Sequence, residues 1–136
     1  MRAVDTNVVV RYLTGDHPEQ AARARAAIDE GPVFASTTVM LESEWVLRSV
    51  YGFAAQEVAA ALRSFSGLPN VSVESPLLLA EALDRAERGM DFADALHLGA
   101  AARCGIMLTF DRKLIATAGE MAEEMAMGTS VRVMEP

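Results

Sequence analysis

Five acids stand where turn signals and hydrophobic patterning place strand ends or helix starts: Asp5, Glu42, Asp91, Asp94 and Asp111. Asp5 closes the short run Ala3-Val4-Asp5, and the carboxyl ends of strands are where open α/β sheets form their ligand crevices. Glu42 falls on a helix expected from Ser36 or Thr37 to about Val50. With residues turning by about 100°, Val39, Val46 and Val50 make an apolar stripe there. Glu42 lies at its edge and is expected to be partly buried, whereas Glu44 points elsewhere. Asp91 and Asp94 are spaced i, i+3 at the start of another helix. Because Asp94 leads into Ala95, Leu98 and Ala102, it is expected to face inward, with Asp91 as cap or auxiliary. Asp111 follows a late strand, two residues after Thr109. Each acid has a purely structural competitor: a helix cap for Asp5, Asp91 and Asp111, and an ion pair with an arginine for Glu42. Together, with Asp91 set aside as cap or auxiliary, they put two carboxylates at strand ends and two on helix faces. Gathered at one sheet edge without Lys or Cys, they would suit hard, oxygen-seeking cations such as Mg²⁺ or Mn²⁺. Left unneutralised, they would raise one another's pKa values.

The elements that must position these acids alternate in type. β-branched runs at Ala3–Asp5, Val33–Ala35, Val71–Val73, Ile106–Thr109 and Val131–Val133 are separated by helical patterns, the sequence form of a parallel α/β sheet. Helices are expected over Asn7–Leu13, from Pro18 to Gly31, to about Val50, over Ala54–Phe65, from Pro76 to near Gly89, and from Asp91 to Arg103. A short helix after Asp111 and a surface helix over Glu120–Met127 complete the reading. At 136 residues with no linker-like stretch, residues 1–136 are expected to form a single domain. Hydrophobic residues at 51% and charged ones at 23% exclude a disordered acidic tail. Cys104 is the only cysteine, so neither an intrachain disulfide nor a multi-cysteine zinc site is available. The start Met1-Arg2-Ala3-Val4-Asp5 lacks a signal-peptide apolar run, and no segment reaches the roughly 18 apolar residues of a membrane span. The expected setting is the cytoplasm. A net charge of −7 argues against coating nucleic acid non-specifically, but carboxylates that hold metals contribute to that total.

Val4-Asp5-Thr6-Asn7, Ser36-Thr37-Thr38-Val39-Met40-Leu41-Glu42, Asp91-Phe92-Ala93-Asp94-Ala95 and Thr109-Phe110-Asp111 together resemble the PIN-domain ribonucleases, and most closely the VapC-type toxins of toxin–antitoxin pairs. The resemblance runs in order from Val4 to about Leu114. It implies a single-domain three-layer α/β/α fold with a short central parallel sheet of Rossmann-like topology. It further implies catalytic, metal-holding acids at Asp5, Glu42, Asp94 and Asp111, supported by hydrogen bonds from Thr6, Asn7 and Thr109, with Asp91 auxiliary. The activity implied is Mg²⁺- or Mn²⁺-dependent endonucleolytic hydrolysis of RNA, leaving a 5′-phosphate and a 3′-hydroxyl. A small antitoxin protein and a homodimer are the implied partners.

Arg11, Arg48 and Arg112 are candidates for steering phosphates, and each could equally be a solvated helix residue. His97 could act as a base, but an isolated histidine near a core face is more simply a packed one. His17 before Pro18 reads as a turn residue; Trp45, Tyr51 and Phe53 read as core or partner surface. Of the competing classes, a phosphoryl-receiver module would need an acceptor Asp after the third strand, where the chain has Glu74-Ser75-Pro76. A haloacid-dehalogenase-like phosphatase would need an Asp where Asn7 stands. A PIN-like domain that binds RNA or protein without cutting is the remaining alternative.

Overall fold

A computed structural model of the chain describes residues 1–124 and 131–136. It divides into two units, Met1–Pro76 and Leu77–Pro136.

The first unit runs β1 (Arg2–Ala3), α1 (Thr6–Thr14), α2 (Pro18–Glu30), β2 (Val33–Ala35), α3 (Thr37–Ser49), α4 (Ala55–Ser66) and β3 (Val71–Val73). The strands form a parallel sheet in the order β1-β2-β3, with Ala3 opposite Phe34 and Ala35 opposite Val73. β1 ends before Val4, but the Val4 N–H still donates to Phe34 O at 2.9 Å. Asp5 thereby leaves the ladder and becomes the cap of α1. That helix buries Thr6, Val9 and Val10, spaced i, i+3, i+4, and stops at Gly15, whose φ of 69° is the left-handed conformation glycine adopts freely. Pro18 opens α2 at a position where its missing N–H costs nothing, and Asp16 Oδ1 accepts the His17 N–H at 3.0 Å. The buried face of α2 is Ala21, Ala24 and Ile28, small enough for α1 to pack closely. α3 is capped by Ser36, whose hydroxyl accepts the Val39 N–H at 3.2 Å. Val58, Ala59, Leu62 and Phe65 are the buried face of α4, and Tyr12 meets Phe65 edge-on at 5.8 Å.

The phase of α3 differs from the sequence expectation by one residue. The buried positions are Met40, Ser43, Glu44 and Leu47, whereas Val39 and Val46 are half-buried and Val50 is 66% exposed. Apolar residues occur in adjacent pairs, Val39-Met40 and Val46-Leu47, so either phase satisfies the pattern. The helix takes the one that turns the small Ser43 inward, and the charge of Glu44, buried with it, is offset by Arg48 one turn on. Glu42 is consequently exposed and Glu44 buried, the reverse of the expectation.

The second unit contains α5 (Pro76–Glu87, its first residue closing the preceding unit), α6 (Phe92–Ala100), β4 (Ile106–Leu108), α7 (Arg112–Glu124) and β5 (Arg132–Met134). β4 and β5 pair in parallel, Leu108 opposite Met134. Leu79, Ala82, Leu83 and Ala86 on α5 and Phe92, Ala95, Leu96 and Leu98 on α6 are buried. α6 ends short of Arg103 because its last bonds tighten from i−4 to i−3, with Ala102 N–H on Gly99 O and Cys104 N–H on Ala101 O. The helix after Asp111 is longer than expected and takes in residues 120–124. Residues 125–127 of the expected surface helix lie outside the described residues.

Every described strand pairs in parallel and helices separate successive strands, which is the α/β fold class. No helix among the described residues is long and apolar enough to cross a membrane.

Candidate functional site

In the first unit the turn from β1 into α1 presents Asp5. Its Oδ1 accepts the Thr6 N–H at 2.8 Å, while Oδ2 accepts no hydrogen bond among the described residues. Thr6 is buried, and its hydroxyl donates to Glu42 Oε1, which ties the start of α1 to the exposed acid on α3. Asp5, Thr6 and Glu42 are thus gathered by one bridging threonine. Asn7, next on α1, is exposed. Glu44 makes an ion pair with Arg48 at 2.9 Å and belongs to the packing of α3. The acid after β3, Glu74, accepts the Thr37 N–H at 2.9 Å and so stabilises the start of α3.

The second unit builds a cleft of about 270 Å³ whose walls include Asp91, Asp94, Asp111, Lys113 and Thr117. Asp91 caps α6 by accepting the Asp94 N–H at 3.2 Å. Asp111 caps α7, its Oδ1 accepting the N–H groups of Lys113 at 2.9 Å and Leu114 at 3.1 Å. The Asp111 N–H donates to Thr109 Oγ1 at 3.0 Å, so Thr109 orients the turn that carries the acid. The helix-cap role is real for Asp5, Asp91 and Asp111, and it leaves each carboxylate with a second oxygen to offer. Asp94 is half-buried and its carboxylate accepts no hydrogen bond among the described residues. Its pKa is raised above 3.8, first by burial and then by the like charges of Asp91 and Asp111, with His97 opposing.

A half-buried carboxylate with no donor, flanked by two more, fits a divalent cation on the chemistry of its oxygen donors. Lys113 alters the expectation of a lysine-free cluster: it lines this cleft, yet makes no ion pair with any of the three acids among the described residues. Among the described residues, no group of three or more His, Cys, Asp and Glu side chains is arranged to hold a metal ion.

All three arginine candidates make ion pairs: Arg48 with Glu44 at 2.9 Å, Arg112 with Glu135 at 3.2 Å and, more loosely, Arg11 with Asp16 at 3.9 Å. Arg11 lines a second cleft, together with Asn7 and an arginine the sequence reading passed over, Arg23. The missed signal is its spacing: Arg23 is i+3 from Gln20, on the face of α2 turned toward α1. His97 is exposed, and His17 stands at the N-terminal boundary of α2 in a left-handed turn with φ 58°, without a side-chain capping bond. Trp45 is 54% exposed and is no core residue, while Tyr51 stacks on Phe53.

Neither a comparison with curated proteins nor one with solved structures returns a match. A comparison with family models returns the PIN domain over residues 2–120, nearly nine-tenths of the sequence. On the strength of that match, which takes in Asp5, Glu42, Asp91, Asp94 and Asp111, the chain belongs to the PIN domain family and has its nuclease-type α/β fold.

Proposed function

We propose that the protein is a divalent-metal-dependent endoribonuclease that hydrolyses RNA phosphodiester bonds, and that it serves as the VapC-type toxin of a toxin–antitoxin pair. The observation that carries the reading is Asp94, half-buried, without a hydrogen-bond donor among the described residues, and raised in pKa first by its burial and then by Asp91 and Asp111. Such a group is at odds with stability unless a cation offsets it. PIN-family membership supports reading such a cation as part of a nuclease site.

In this proposal Asp5, Glu42, Asp94 and Asp111 hold Mg²⁺ or Mn²⁺, Asp91 assists, and residues 1–136 act as one catalytic domain in the cytoplasm. The bound ion would supply a lowered water pKa and charge relief at the phosphate. The chain's own contribution is positioning. Thr6 uses its hydroxyl to hold Glu42 and its N–H to hold Asp5. Thr109 fixes the turn bearing Asp111, and Asp91 fixes the first turn of α6, from which Asp94 projects. Asn7, exposed one residue beyond Thr6, is assigned the same supporting role by hydrogen bonding. The acidic cleft also suits a basic side chain from an inhibitory antitoxin, and a homodimer is the proposed assembly.

The experiment is cleavage of structured RNA by the purified protein with Mg²⁺ or Mn²⁺. Cutting that stops with EDTA, and that Asp5→Asn or Asp94→Asn abolishes without unfolding, supports the reading. RNA binding without cleavage under every metal condition would replace it with the catalytically silent PIN-like alternative.

A further inference from the structure

Helices α1 and α2, joined through Gly15, Asp16 and His17, enclose a cleft of about 380 Å³. Its walls carry Asn7 and Arg11 from α1 and Gln20, Arg23, Ala24 and Ala27 from α2. The α1 pair is spaced i, i+4, about 6 Å along the helix axis, and the α2 residues repeat at i, i+3, i+4, i+7 on one face. Ala24 and Ala27 open the space because they carry nothing beyond Cβ.

The two guanidinium groups are treated differently. Arg11 is pinned: its Nε donates to Gln20 Oε1 at 2.9 Å and its Nη1 to Tyr51 Oη at 3.0 Å. The Tyr51 hydroxyl in turn donates to Asp16 Oδ2 at 2.8 Å, holding that carboxylate 3.9 Å from Arg11. Arg23 has no hydrogen bond or ion pair among the described residues. Two cations that share a cleft repel each other, and among the described residues only Arg11 has an ion-pair partner, so the cleft can take up an anion. Guanidinium forks match phosphate oxygens in pairs. At the Asn7 end, the cleft comes within two residues of Asp5.

We propose that Arg11 and Arg23 form a subsite for a backbone phosphate of the RNA substrate, flanking the bond to be cut. The inference rests on the ribonuclease reading and adds to it a place where the strand is gripped. Arg11 supplies the N–H groups that Gln20 and Tyr51 leave over, Arg23 an exposed guanidinium with no partner among the described residues, and Asp16 moderates the charge of the first.

The test is steady-state cleavage of a fluorescently labelled single-stranded RNA with Mn²⁺ over a series of salt concentrations. Arg23→Gln should raise KM about tenfold with kcat unchanged. It should also flatten the dependence of log(kcat/KM) on log[salt] by about 0.7, the value for one lost single-strand phosphate contact. Arg11→Gln should do the same, and Asp16→Asn should lower KM. Arg25→Gln, which changes net charge equally from a position outside the cleft, is the control and should leave both quantities as they are. Arg23→Gln behaving like Arg25→Gln, while the parent protein still cuts RNA, would overturn the subsite and spare the ribonuclease reading. A parent protein that cuts no RNA with Mn²⁺ would overturn both.

Discussion

Replacing Arg48 by Met removes the cation beside a carboxylate that the fold has taken out of water. The Glu44 side chain is 7% exposed and lies 2.9 Å from Arg48 Nε, with Nη2 at 3.4 Å from its other oxygen. Breaking a fully buried pair by removing one partner costs about 3–5 kcal/mol. Here the arginine side chain is 41% exposed, so water can enter on that side and the cost falls to about 2 kcal/mol. With an unfolding entropy of about 2.1 cal/mol/K per residue, roughly 0.29 kcal/mol/K for the whole chain, the melting temperature should drop by about 7 °C. The double variant Glu44→Met/Arg48→Met removes both charges and retains apolar volume, so it should return to within about 1 kcal/mol of the parent. Thermal and urea unfolding in EDTA-containing buffer measure both. A single variant as stable as the parent, or a double variant no better than the single, would refute the assignment of Glu44 to the packing of α3. It would also reopen the choice between Glu42 and Glu44 as the acid of the site.

Asp94 makes the metal-free protein sensitive to pH. Its folded pKa is raised above 3.8, so the folded state holds that proton more tightly than the unfolded chain. Its contribution favours folding at acidic pH, and that contribution is lost as pH rises from 3.8 through the raised value. Asp94→Asn should remove this slope and raise the metal-free melting temperature at neutral pH, read as the difference between the two melting curves from pH 4 to 7. Leu62, wholly buried on α4, should cost about 3 kcal/mol when cut to Ala, measured by urea unfolding. Ser36→Ala removes the α3 cap and should cost about 1 kcal/mol by the same assay.

The sequence carried the order and type of the elements because Gly, Pro and capping residues stand at their ends: β2 and β3 begin and end where the patterning puts them. It also carried the local roles of Asp5, Asp91 and Asp111, since an acid before a helical run caps it whatever else it does. It did not carry the phase of α3. There two adjacent apolar pairs leave the stripe ambiguous by one residue, and the choice was made by tertiary packing, which buries Ser43 and Glu44 beside Met40 and Leu47. It likewise missed Arg23, because a charged residue on an Ala-rich helix looks solvated until the facing helix is in place. The Thr6–Glu42 bond joins residues 36 apart, and no local pattern announces it. The family resemblance suggested the role of Thr6; the geometry supplies the partner.

The central claim, that acids from separate parts of the chain serve one divalent ion, is tested most directly by Mn²⁺ binding to the intact protein. Calorimetric or electron-paramagnetic titration of the parent, Asp5→Asn and Asp94→Asn would read it. The account predicts that each substitution alone weakens Mn²⁺ affinity by about tenfold or more, although Asp5 belongs to one unit and Asp94 to the other. Mn²⁺ affinity unchanged by either substitution would contradict it.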